Sequence, residues 1–258
     1  MTPIALTIAG SDPSGGAGLQ ADLKTFHQHQ VYGASVVTLL TVQNTTEVSR
    51  VDVMAPDLVV AQIDAVTRDL PVGAAKTGAL GSAPVVRAVS EAAARFTFPL
   101  VVDPVMISKH GAPLLDDEAR DALDELFAHA TLITPNAPEA AALTGRPVAT
   151  LAEARVAAES LAKRGCSVLL KGGHLGDAEA IDLLLHEGEL HELPAKRIDT
   201  PHTHGTGCTY AAAITARLAR GDALVDAVTG AKAWLARAIA TAPGIGHGHG
   251  PVNHLTPI

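Results

Sequence analysis

Aromatic residues are scarce in this chain of 258: Phe, Tyr and Trp together make up 3% of it. Ala, Val and Leu must then fill any core, which suits helices packed against a parallel sheet. Charged residues are also few, at 18%, against 47% apolar, a balance that excludes a disordered chain. Basic side chains fall short of acidic ones, 19 against 27, for a net charge of −8. Nothing in that balance favours a polyanion such as DNA or RNA. A local anion site needs no basic surplus, because backbone N–H groups bind phosphate. The only cysteines, Cys166 and Cys208, are far apart with no CxxC spacing, which reads as two reduced thiols. No apolar run reaches the roughly 20 residues that span a bilayer. The first ten residues lack a signal peptide's basic region and read directly as a strand. The expectation is a cytoplasmic protein with neither nucleic-acid nor membrane partner. Repeats, low-complexity stretches and linkers are missing too, so residues 1–258 read as one domain.

What the chain does have is alternation. Short apolar runs at Ile4–Ala9, Ala34–Leu40, Val51–Met54, Gly73–Lys76, Pro99–Val102 and Thr131–Thr134 read as strands. Helical patterns lie between many of them, at Leu19–His29, Asp57–Leu70, Ala83–Arg95, Asp117–Ala128 and Leu151–Arg164. Ser167–Leu170 and a hairpin of Ile181–His186 with Leu190–Leu193 follow, and helices at Gly207–Arg220 and Leu224–Ala240 close the chain. This predicts an α/β fold, a doubly wound, mostly parallel sheet with helices on both faces. Ligands of such folds gather at the carboxyl ends of the strands.

Unusual residues stand at those ends. The first strand runs into Gly10-Ser11-Asp12-Pro13-Ser14-Gly15-Gly16-Ala17-Gly18, a ligand loop or simply a tight turn, and with neither Rossmann nor Walker spacing. Asp22, one helical turn further, points back over that loop or into solvent. Gln43 offers the donor pair and acceptor that suit an aminopyrimidine edge, unless it belongs to an ordinary polar loop. Asp103 ends another strand, where Mg²⁺ with its waters could be held. Asn136 and Glu139 describe either a capped helix start or further oxygen ligands. Lys171, in a Gly-rich turn, can meet a phosphate as a point charge. The strongest segment is Thr203-His204-Gly205-Thr206-Gly207-Cys208-Thr209. Its glycines free backbone N–H groups at a helix start, an anion hole of the kind phosphoryl transfer needs. Cys208 in that first turn is expected to have a lowered pKa. His202 and His204 beside it read as ordinary loop histidines. The alternating tail Gly244-Ile245-Gly246-His247-Gly248-His249-Gly250-Pro251 reads as a flexible surface segment rather than a metal tract.

These segments, in this order, resemble the ribokinase-like superfamily, and within it the hydroxymethylpyrimidine/phosphomethylpyrimidine kinases of thiamine biosynthesis. The likeness runs over essentially the whole chain. It includes Ala9–Lys24, Gln43-Asn44-Thr45, Asp103-Pro104-Val105-Met106, Thr134-Pro135-Asn136, Lys171-Gly172-Gly173-His174 and His204–Thr209. The resemblance implies two successive transfers from ATP, with Mg²⁺, to 4-amino-5-hydroxymethyl-2-methylpyrimidine and then to its monophosphate. It makes Cys208, Gly205 and Gly207 the catalytic group, with Cys208 where most superfamily members carry an Asp base. It assigns Gln43, Asp22, Gly10, Ala17, Ala79 and Met106 to the substrate, Lys171, Asn136 and Thr206 to the nucleotide, and Asp103 and Glu139 to the metal. A homodimer is expected. Two positions depart from the family. Ala79 stands where Met is frequent, which would widen the ring pocket, and Tyr210 replaces an aliphatic residue, a packing change. The rival readings are a pyridoxal kinase of the same superfamily and a non-catalytic pyrimidine sensor.

If Cys208 is a neutral thiol, one site can serve both transfers: the alcohol acceptor profits from a base, while the phosphate acceptor would be repelled by a carboxylate there.

Overall fold

A computed structural model describes residues 2–106, 118–175 and 180–258. The expected helix start at Asp117 and the side chain of His174 lie outside the described residues.

Nine strands form one sheet in the order β3-β2-β1-β4-β5-β6-β7-β8-β9. Strands β1 (Ile4–Ser11), β2 (Tyr32–Gln43), β4 (Ala74–Thr77), β5 (Leu100–Val102), β6 (Leu132–Ile133) and β7 (Ser167–Leu170) run parallel. Antiparallel strands flank them: β3 (Val48–Val53) at one edge, β8 (Asp182–His186) and β9 (Glu189–Leu193) at the other. The order reverses between β1 and β4, the crevice where doubly wound sheets bind ligands.

The sheet is buried on both faces, and its side chains divide with a period of two. Leu6, Ile8, Leu100, Val102, Ile133, Val168 and Leu170 face α2 (Pro56–Asp69), α3 (Ala83–Ala93), α4 (Ala119–Phe127), α5 (Ala137–Thr144) and α6 (Leu151–Ala162). Val101, Leu132 and Leu169 face α7 (Thr206–Ala219) and α8 (Leu224–Ala240), while Ala5 packs with Phe26 of α1 (Gly18–Gln28). In α7 every residue from Thr209 to Ala216 is buried. Only small side chains let a helix lie that close to a sheet, which explains the alanines and the shortage of aromatics.

Two expectations need correction. Strand β2 runs past Leu40 to Gln43, because its last residues pair with β3 as far as Gln43 against Val48. The tail is docked rather than loose. His249 N donates to Thr45 O at 2.8 Å, His204 N donates to Gly250 O at 3.1 Å, and Trp234 Nε1 donates to Thr256 O at 2.9 Å. A Cβ on Gly248 would overlap the Thr45 carbonyl, so glycine recurs there for close approach, which composition alone does not distinguish from flexibility. Among the described residues, no group of three or more His, Cys, Asp and Glu is placed to hold a metal ion. Both cysteines are free, and no helix of the described residues is long and apolar enough to cross a membrane.

Candidate active site

A cavity of about 740 Å³ opens at the carboxyl ends of the parallel strands. Gly10, Ala17, Gln43, Ala79, Asp103, Met106, Asn136, Glu139, Lys171, Gly205, Thr206, Gly207 and Cys208 all line it. The topology thus gathers expected positions spread over some two hundred residues.

Asp22 is the exception. It lies wholly buried behind the cavity wall, where Lys76 Nζ donates to its Oδ2 at 2.8 Å and Thr7 Oγ1 at 2.6 Å. It is neither a substrate contact nor a solvated helix carboxylate. Burial opposes the Lys76 ammonium, but the Asp22 charge and hydrogen bond, together with Cys208 and Asp103, outweigh it and hold Lys76 above the usual lysine range. Removing one partner of such a pair costs about 3–5 kcal/mol, because the other charge is stranded.

The turn before α7 is the centre of the site. Gly205, its N-cap, has φ +75°, and a Cβ there would overlap the Gly16 carbonyl oxygen. The turn is therefore pressed against the Gly-rich loop after β1, and Gly205, Thr206, Gly207 and Cys208 at the start of α7 line the cavity, where a helix start offers unpaired N–H groups. Gly207 lies beside Lys171 and Asp103: a Cβ on it would stand 3.4 Å from Lys171 Nζ and 3.5 Å from Asp103 Oδ2. Cys208 contradicts the expected low pKa. Burial pushes its thiol up to about 11, Asp22 and Asp103 add to this, and Lys76 only partly offsets it. Charge removed from water outweighs the helix terminus here.

Asp103 accepts from Lys171 Nζ at 2.8 Å and from Thr134 Oγ1 at 3.0 Å. Asn136 and Glu139 form a capping box on α5: Asn136 Oδ1 accepts from Glu139 N at 2.9 Å, and Glu139 Oε2 from Asn136 N at 2.8 Å. The helix start is real, and it also fixes Glu139 in the cavity wall. Burial, with a smaller contribution from Asp103, pushes Glu139 up to about 7 against the opposing Lys171 charge. Burial works against the Lys171 ammonium, but Asp103 and Glu139 hold it above the usual range. Magnesium takes one or two protein carboxylates plus phosphates and water, and Asp103 with Glu139 fits that donor set.

Several cavity residues were passed over in the sequence. His204 is buried, its Nε2 2.8 Å from Asp12 Oδ2 and 3.3 Å from the Gln43 amide. An Asp two residues before a Ser in a Gly-rich loop is a signal for a capped turn, and Asp12 indeed caps Ser14. At the far end Lys232 pairs with Asp182 at 2.7 Å. Tyr210 lines the cavity there rather than only packing, its phenol held protonated by burial and by Asp182. No local pattern announces these residues, which come from β8, α7 and α8.

The phosphomethylpyrimidine kinase family matches residues 12–253. The chain belongs to that family. Among its relatives, the hydroxymethylpyrimidine/phosphomethylpyrimidine kinase of Rhizobium meliloti is 49% identical, over 99% of this chain and 98% of that protein. The solved pyridoxal kinase of Bacillus subtilis, an ADP complex, superposes with a TM-score of 0.92 at 36% identity, covering 99% of this chain and 98% of that one. The phosphomethylpyrimidine kinase of Clostridium difficile superposes with a TM-score of 0.81 at 39% identity, covering 92% and 100%. Like them, this chain is a kinase with the ribokinase-like fold.

Proposed function

We propose that the enzyme moves the γ-phosphoryl group of ATP to the hydroxymethyl oxygen of 4-amino-5-hydroxymethyl-2-methylpyrimidine, and then a second one to the resulting monophosphate, for thiamine biosynthesis. One observation carries this reading: a single cavity joins the Gln43 amide at one end to a helix-start anion hole, Lys171 and two carboxylates at its middle. Beyond them Ile198, Leu235 and Ile239 give an apolar pouch of the kind that takes a purine.

In this reading Gln43, with Gly10, Ala17, Ala79 and Met106 around it, orients the ring so that its alcohol faces the α7 turn. The backbone N–H groups from Gly205 to Cys208 receive the migrating phosphoryl charge, and Lys171, Asn136 and Thr206 hold the donor's phosphates. Magnesium bound by Asp103 and Glu139 would neutralise charge on the phosphates. Cys208, as a neutral thiol, leaves the site acceptable to both acceptors. Only after losing its own proton can it take the alcohol's in the first step, and in its neutral form it does not repel the anionic acceptor of the second. A Cys208→Asp variant should lose more of the second step than of the first. Equal loss, or a spared second step, would contradict this role.

A second reading has its own support: Ala79 leaves room beside the ring, and solved pyridoxal kinases superpose closely, one from Staphylococcus aureus in complex with AMP-PCP and pyridoxal at a TM-score of 0.90. ATP consumption with the pyrimidine and pyridoxal side by side, followed by product mass, separates the two. The pyrimidine should be the better substrate and emerge carrying two phosphates. Faster turnover of pyridoxal, or a product with only one phosphate, would favour the rival. We further propose one kinase domain over 1–258, acting in the cytoplasm as a homodimer. The free cysteines and the exposed Leu40 and Val42 on β2 support this.

A further inference from the structure

We propose that Asp12 and His204 form a positioning pair that fixes which way the Gln43 amide faces, and thereby which ring edge the enzyme accepts. This rests on the reading of Gln43 as the ring-recognising residue.

Asp12 is locked in place. Its Oδ1 accepts from Ser14 N at 2.9 Å and Ser14 Oγ at 2.7 Å, and its Oδ2 accepts from Ala17 N at 2.9 Å. His204 Nε2 lies 2.8 Å from the same Oδ2, and both side chains are 4% exposed. Burial pushes the Asp12 carboxyl upward, but the His204 hydrogen bond and Ser14 outweigh it, so the group stays below the usual carboxylate range and ionised. A carboxylate only accepts, so the imidazole carries its proton on Nε2. That nitrogen then has no lone pair to offer, and its one hydrogen, given to Asp12, can at most be shared with a second acceptor.

The two ends of the Gln43 amide lie 3.3 Å from His204 Nε2 and 3.2 Å from Thr41 Oγ1. The Thr41 hydroxyl also lies 2.9 Å from the Ser11 carbonyl oxygen, to which it donates its single hydrogen. Toward Gln43 it has only lone pairs left. His204 therefore calls for the amide oxygen and Thr41 for the amide nitrogen. An amide nitrogen facing His204 would meet a donor, and an amide oxygen facing Thr41 would meet a hydroxyl with no hydrogen to give. The half-turned amide, Nε2 toward Thr41 and Oε1 toward His204, gives Thr41 a donor and sets an acceptor, not a second donor, beside the N–H that His204 shares with Asp12.

Gln43 then keeps one N–H and one oxygen lone pair for a ligand, in a set order across the cavity. A ring nitrogen beside an exocyclic amino group complements that order. The 4-oxo analogue, with a ring N–H beside a carbonyl, presents the reverse. Accepting it would require turning the amide against two neighbours or leaving polar groups unpaired, and a site built to hydrogen-bond a ligand rejects such mismatches strongly.

The test compares kcat/KM for 4-amino- and 4-oxo-5-hydroxymethyl-2-methylpyrimidine. His204→Phe should lower the amino-over-oxo ratio about tenfold or more, chiefly through KM. His204→Gln, whose amide hydrogens can reach both Asp12 and Gln43, should recover much of the loss. In the wild-type enzyme, ¹⁵N-histidine NMR should show a hydrogen on Nε2 of His204; a bare Nε2 overturns the proposal even if no variant folds. An unchanged ratio in His204→Phe, with the ratio lost in Gln43→Ala, also overturns it and leaves the site reading standing. A ratio that survives Gln43→Ala removes the site reading and this proposal with it.

Discussion

At the ring end of the cavity polar groups hold one another still, whereas at the phosphate end they wait for a ligand. Asp12 takes four hydrogen bonds, from Ser14 N, Ser14 Oγ, Ala17 N and His204. The docked tail lies behind it, with Val252 N bonded to His204 O at 3.4 Å. By contrast, Lys171 is paired with Asp103, and Glu139 lies beside both charges with its pKa pushed to about 7 by burial and by Asp103. Lys171 must exchange that carboxylate for a phosphate before it can act. The ring end is preorganised, so damage there should appear as weaker binding. The phosphate end is switchable, so damage there should slow both transfers.

The largest expected effect comes from the point where the two ends meet. Gly205→Ala puts a methyl group into the Gly16 carbonyl at a residue with φ +75°, pushing the α7 turn away from the Gly-rich loop. Both transfers should fall by about 100-fold or more, the scale of losing preorganised anion-hole donors, with a lower Tm. Rates above a tenth of wild type would mean the turn does not need this packing. Next comes Lys171→Met, expected to slow both steps by roughly 10- to 100-fold. Calorimetry without nucleotide should show pyrimidine binding unchanged; weaker binding would erase the distinction between the ends.

The smallest effect lies beneath the ring end. His254 is buried, with its Nε2 3.0 Å from Thr209 Oγ1 in the first turns of α7. Burial, with lesser help from Lys24 and His204, lowers its pKa from 6.5 to about 4. As pH falls below 6.5 the unfolded chain takes up this proton and the folded one does not, so stability is lost between pH 6.5 and 4 and levels off below. The total is on the order of 3 kcal/mol, of which about 1 kcal/mol falls between pH 7 and 5.5. Urea unfolding at those two pH values should show a smaller drop for His254→Asn. An equal drop would uncouple His254 from the fold's acid sensitivity.

How much of this could be seen in the sequence follows from the range of each interaction. Strands and helices rest on local periodicity, so β1, α3 and α8 fell within about two residues of expectation. Glycines before α7 and the Lys171 turn sit where any doubly wound sheet binds ligands, so every expected residue but Asp22 lines the cavity, while the wall that Asp182, Tyr210 and Lys232 form was not foreseen. Depth was not. Spacing put Asp22 on a helix face near the loop, but its partner Lys76 comes from a strand 54 residues away, and no local pattern reports that a charge is buried. The same blindness to burial inverted the Cys208 pKa. The tail failed for a different reason. Glycine at alternate positions signals flexibility in composition, and only the neighbouring Thr45 backbone reveals close packing.

The account turns on one cavity seating the migrating phosphate over the α7 turn while Gln43 holds the ring that receives it. A crystal structure with a non-hydrolysable ATP analogue and the aminopyrimidine alcohol tests this directly. The terminal phosphate should lie within hydrogen-bond reach of the backbone N–H groups from Gly205 to Cys208, with the amino edge of the ring on Gln43. Ligand density away from either position would contradict the account.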